Sequence, residues 1–139
     1  MKLGPRFKAA LLWTSAILYA TGIAVWALAS PRLQTTGDYG PEPSPLKPRF
    51  LHAHSVAGLF FLVLFGYLWH AHVEPGLQRQ KKKLSGLTLL AALMILFSTV
   101  PLLFYLTGET ARAWNAAVHT WLGAALLAPF VFHLRSKRV

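Results

Sequence analysis

The sequence predicts an all-α integral membrane protein, a four-helix bundle whose two termini lie in the cytoplasm. Of its 139 residues, 55% are hydrophobic and 13% charged, whereas a soluble globule carries roughly a quarter charged residues. Four stretches, 9–31, 50–73, 84–108 and 113–134, contain no Asp, Glu, Lys or Arg. Each exceeds the roughly 20 residues a helix needs to cross about 30 Å of hydrocarbon. Backbone polar groups cannot stay unpaired in lipid, and the chain has neither β alternation nor the length for a closed barrel, so helices are the spanning solution. All four belong to one expected transmembrane domain, 1–139.

The first span follows Lys2, Arg6 and Lys8 and ends at Ala27-Leu28-Ala29 before Ser30, a pattern shared with cleavable signal peptides. Its apolar run is long for that purpose and is read as a helix. Next comes 32–49, with Pro41, Pro43, Pro45 and Pro48, expected to be an extended outside loop. It serves as a stiff tether or as a docking surface for an external partner. The second span stops before Pro75, and the Gln78 to Lys83 run beyond it reads as a solvated inner face against anionic lipid headgroups. Pro101 and Pro129 fall within the third and fourth spans, where a missing N–H and a ring clash should kink the helix. Trp69, Trp114 and Trp121 near span ends suit interfacial anchoring.

Fourteen Lys and Arg against four Asp and Glu give a net charge of +10. These cations flank apolar runs instead of lining a polar domain, so membrane topology explains them better than nucleic acid binding. Ten of them, Lys2, Arg6, Lys8, Arg79, Lys81, Lys82, Lys83, Arg135, Lys137 and Arg138, fall on one side of the predicted topology. Arg32, Lys47, Arg49 and Arg112 fall on the other. The positive-inside rule therefore sets the orientation N-in, C-in, in a membrane such as the bacterial inner membrane.

The absence of cysteine excludes disulfides, thiolate chemistry, iron–sulfur ligation and thioether-linked haem, which leaves histidine as the main metal ligand. The six histidines lie in or at the ends of two spans: His52, His54, His70 and His72 on the second, His119 and His133 on the fourth. These spans run in the same direction. His52, His54 and His119 therefore approach the outer face, and His70, His72 and His133 the inner face. Ionisable groups in a membrane are costly and mark sites by default, although any single histidine can serve as interhelical hydrogen-bond glue.

A facing pair of imidazoles at each level, one from each helix, suits a bis-histidine haem b better than zinc, which takes three or four protein ligands at one depth. His119 and His133 are 14 residues apart, about 21 Å of rise and about 40° from a common stripe, so one helix can serve two stacked haems. On the second span, His54 and His72 share a face of a regular helix after five turns, and His52 with His70 is the alternative register. A local kink or π-bulge could instead join His70 to His54. Both spans carry HxxxG, His54 to Gly58 and His119 to Gly123. A glycine one turn on lets a flat macrocycle press against the backbone, or else lets helices pack closely. Arg49 and Arg112 precede the outer histidines and could pair with haem propionates, as could Lys81, Lys82, Lys83, Arg135 and Lys137 at the inner level.

With His54-xxx-Gly58 and His70 or His72 on one span, and His119-xxx-Gly123 and His133 on the other, the chain resembles the di-haem cytochrome b class. That class includes the cytochrome b subunits of respiratory formate dehydrogenases and nickel–iron hydrogenases, and the chain is similar especially to small four-helix members. The resemblance covers the second and fourth spans. It implies two haems b, electron transfer between a quinone pool and a redox partner, and work within a larger complex as an electron carrier instead of a catalyst. The partner would be an outer-side oxidoreductase or a multihaem cytochrome. Two other readings remain: a haem-free scaffold or assembly subunit, and a metal or proton transporter with a histidine relay. The latter would want acidic groups within the spans, where only Glu74 stands at a helix end.

Overall fold

The structure is a computed structural model that describes residues 3–37, 40–78 and 84–135. It holds four helical runs long and apolar enough to cross a membrane: Pro5–Leu28, Lys47–Gln78, Leu84–Tyr105 and Glu109–Arg135. Most reach beyond the charge-free stretches. The charge count leaves out the first turns of the helices, which hold Pro5, Arg6 and Lys8 in one case and Lys47, Pro48 and Arg49 in another. Proline suits those turns because its missing N–H would have had no intrahelical partner. The cations Lys2, Arg79, Lys81, Lys82, Lys83, Lys137 and Arg138 lie outside the described residues.

Packing divides the chain into two compact units after Gln78. In the first, α1 (Pro5–Leu28) packs against α2 (Lys47–Leu68). Phe7 meets Tyr67 with ring centroids 4.6 Å apart and planes tilted by 52°, Leu18 faces Gly58, and Thr21 meets His54, so the helices run antiparallel. The connection differs from the extended loop expected. A 3₁₀ turn at Pro31–Leu33 leads into a small antiparallel hairpin, β1 (Thr35–Gly37) and β2 (Gly40–Glu42), with Gly37 paired to Gly40. Gly40 has φ +115°, a conformation open to glycine and strained for other residues, and it lets the chain reverse among the prolines.

Beyond Leu68 the helix widens into a π-helical turn, Trp69–Val73, then resumes as α3 (Glu74–Gln78). Pro75 thus lies inside the helical run and not beyond its end. Proline at this position supplies no N–H to the Ala71 carbonyl and crowds it. The wider turn, in which the Glu74 N–H reaches the Trp69 carbonyl, accommodates both effects.

The second unit contains α4 (Leu84–Tyr105), α5 (Glu109–Ala125) and α6 (Leu127–Arg135). Helices α5 and α6 return along α4 in antiparallel fashion: Thr99 meets Asn115 and His119, Leu96 faces Gly123, and Ser85 meets His133. Of the two prolines expected to kink their spans, Pro101 sits within an unbroken α4, where the neighbouring bonds hold the helix. Pro129 coincides with a break at Leu126, because the Ala125 carbonyl, four residues before it, lacks its donor. Pro129→Ala should heal this break and stabilise the helix by about 3 kcal/mol at most, the usual cost of an interior proline. A rise in thermal midpoint, with helical circular dichroism at least maintained, checks it.

The interior is more polar than the exterior. Among the described residues the buried set is Ser15, Thr21, Ser44 and Thr99 with Ala57, Phe65, Ala71 and Leu93, while Trp13, Val63, Phe104 and Trp121 are 71%, 68%, 76% and 69% exposed. Apolar surface on this scale is unfavourable in water and ordinary against acyl chains, so the fold is compatible with an integral membrane protein.

Candidate functional site

His54 stands two turns into α2, facing α1. Its Nδ1 lies 3.0 Å from Thr21 Oγ1, and the Leu18 carbonyl is a further backbone partner of the ring. Next to Thr21, Gly22 leaves room for the imidazole: a Cβ there would stand 3.1 Å from His54 Cε1 and 3.5 Å from Nδ1. One turn along α2, Gly58 faces Leu18, whose Cδ2 would be 3.9 Å from an added Cβ.

His119 on α5 repeats the arrangement. Its Nδ1 is 2.7 Å from Thr99 Oγ1, and Gly123, one turn on, faces Leu96 Cδ1 at the same 3.9 Å. Asn115, one turn before His119, donates through Nδ2 to the Thr99 carbonyl at 2.9 Å, tying α5 to α4 at this level. The HxxxG repeat is therefore half of a larger one. In each hairpin a Leu-xx-Thr on the helix without histidine opposes a His-xxx-Gly on the helix that has it: Leu18 and Thr21 against His54 and Gly58, Leu96 and Thr99 against His119 and Gly123. Because a methyl at Gly58 or Gly123 would meet its own hairpin at an ordinary van der Waals distance, packing within each hairpin does not call for glycine there.

At the other end of the second unit, the His133 ring lies against the start of α4, with Nδ1 3.4 Å from Ser85 Oγ and Cε1 3.5 Å from a Cβ built on Gly86. In the first unit the π-helical turn carries both remaining candidates. His72 is half-buried beside buried Ala71. The His70 side chain is 83% exposed and its Nδ1 lies 2.9 Å from Glu74 Oε2 on the same helix. Because His70 and His72 lie within this wider turn, the regular 3.6-residue spacing counted from His54 is not kept up to either of them. His52, Arg49 and Arg112 are exposed, the arginines in or near the first turns of α2 and α5. The Tyr19 hydroxyl is buried with no hydrogen-bond partner among the described residues. Nor does any group of three or more His, Asp or Glu side chains among them come together as a metal site.

The pattern of histidines alone does not single out the histidine-free spans, and so misses Thr21, Gly22, Thr99, Asn115, Ser85 and Gly86. A partial signal is Leu-xx-Thr, present in the first span as Leu11 to Thr14 and Leu18 to Thr21 and in the third as Leu96 to Thr99. No family model, curated protein or solved structure matches the chain.

Proposed function

We propose that the chain is a di-haem b-type cytochrome subunit, relaying electrons across a membrane between a quinone pool and a redox partner in a larger complex. The observation that carries this reading is the duplicated hydroxyl–histidine–glycine arrangement around His54 and His119. Metal-bound histidines almost always have their second ring nitrogen held by a neighbouring group, which fixes the ring's orientation and strengthens it as a donor. Thr21 and Thr99 do this for His54 and His119, and Ser85 approaches His133 in the same sense.

In this reading His54 and His119 hold the outer haem, and His133 with His72 the inner one, His70 being the alternative to His72. The residues fit the group. The donors are imidazoles alone, Gly58 and Gly123 keep a flat ring's path to the backbone clear, and Arg49 and Arg112 supply cations for propionates. The orphaned Tyr19 hydroxyl is a donor for a polar group bound beside α1. Bound haem would supply one-electron iron chemistry, and two strong-field histidines per iron would leave no position for oxygen or substrate, so catalysis belongs to a partner subunit. That partner would be an outer-side oxidoreductase or a multihaem cytochrome, docked on the segment containing β1 and β2. The N-in, C-in orientation and the bacterial inner membrane belong to the same proposal, on the strength of the basic residues.

The test is an absorption spectrum of the purified protein before and after dithionite, with a pyridine haemochrome count. Two haems b per chain, unaltered by carbon monoxide, are expected. A colourless preparation with bound divalent metal would favour the histidine-relay transporter, and one without metal the scaffold. Either result overturns the cytochrome reading.

A further inference from the structure

We infer that Thr21 and Thr99 are a matched pair of positioning residues that fix the same tautomer in His54 and His119, and through it set the potential of one shared haem. The inference rests on the cytochrome reading for the haem, but its tautomer part stands on the hairpins alone.

A threonine hydroxyl has one proton to donate. Thr21 Oγ1 lies 2.7 Å from the Ile17 carbonyl and 3.2 Å from that of Leu18, and Thr99 Oγ1 lies 2.6 Å from the Leu96 carbonyl. A carbonyl oxygen can only accept, so each hydroxyl proton is spent on the threonine's own helix. What faces the imidazole is an oxygen lone pair, which requires the histidine to donate: Nδ1 carries the proton and Nε2 the lone pair. The same logic operates twice, in separate units, on the two histidines assigned to one iron.

The remaining hydroxyls sharpen the contrast. Ser15, Ser55, Thr88 and Ser98 also return their protons to their own helices, in each case to the carbonyl four residues back, but none of these four hydroxyls bonds a histidine among the described residues. Back-bonding alone is common; back-bonding with the oxygen turned onto a histidine Nδ1 occurs, among the described residues, at Thr21 and Thr99. Gly22 adds a constraint on the first unit's side, because its missing Cβ lets the His54 ring lie close to α1. The histidine-free helices thus have a role: each holds one ligand ring in the tautomer that presents Nε2.

An imidazole whose Nδ1–H is hydrogen-bonded is a stronger donor and favours the oxidised iron. Thr21→Val and Thr99→Val keep the shape and remove the oxygen, so each should raise the midpoint potential of one haem in a redox titration of the full chain in detergent. Both should move the same haem and leave the other in place. Thr21→Ser and Thr99→Ser should restore the wild-type value, and Ser98→Ala should leave both haems unchanged. A second readout needs no haem: nitrogen-15 spectra of the histidine-labelled apoprotein should show His54 and His119 protonated at Nδ1, and the valine variants should relax that preference.

If the valine variants shift different haems, or none, or if the apoprotein rings are protonated at Nε2, the pairing is wrong although the cytochrome reading survives. If wild-type protein binds no haem while both rings keep Nδ1–H, the cytochrome reading fails and the tautomer assignment stands.

Discussion

Of the two haems b proposed for the chain, His119→Ala should leave one, and His54→Ala should leave the same one. Each substitution removes one of the two histidines proposed to hold the outer haem without touching His72, His70 or His133. The haem content should therefore fall by half in both, and the surviving centre should titrate at a single, common potential. Pyridine haemochrome counts joined to a redox titration decide the matter. If both haems survive His119→Ala, the outer ligation is wrong. If His54→Ala and His119→Ala leave different survivors, the two histidines do not share an iron. His52→Ala, which alters an exposed ring near the start of the same helix, should keep both haems.

Gly22→Val should come next in size. Even the first carbon of a new side chain would lie 3.1 Å from His54 Cε1. The branched carbons beyond it reach further into the ring, so the imidazole must leave its seat against Thr21 or α1 must move off α2. Overpacking of this kind costs about 1–3 kcal/mol. The expected result is a lower thermal midpoint together with loss of the outer haem and retention of the inner one. Gly66→Ala is the control on the neighbouring helix. Nothing lies within 4 Å of a Cβ there, and exchanging an interior helical glycine for alanine stabilises by roughly 0.5–1 kcal/mol. A Gly22→Val protein that keeps both haems at wild-type stability would show that the close approach of His54 to α1 does not matter.

Much of this arrangement is visible in the chain before it folds, and the rest has identifiable reasons for being hidden. The histidines and their glycines stand out because polar and small residues are conspicuous in apolar spans. Thr21 and Thr99 do not, because a threonine in a membrane helix ordinarily satisfies itself on its own backbone, as both of these also do. Their second contact, across to Nδ1, exists only once a partner helix arrives at the right height. The π-helical turn under His70 and His72 is, from sequence, only one alternative among several. Its trigger, Pro75, reads equally well as a helix stop, and neighbouring turns determine which outcome wins.

The order of residues along the chain by itself determined that four apolar helices form, that two of them carry every histidine, and that Arg49 and Arg112 stand ahead of His54 and His119. The helices follow from the thickness of hydrocarbon and the cost of leaving backbone or charge unpaired within it, which act on each segment alone. Tertiary structure decided which small residue of one helix opposes which ring of the other. A helix that is apolar all round has no preferred face to read from its periodicity, so its rotation and height are set by contacts such as Phe7 on Tyr67 and Thr21 on His54, which exist only between helices.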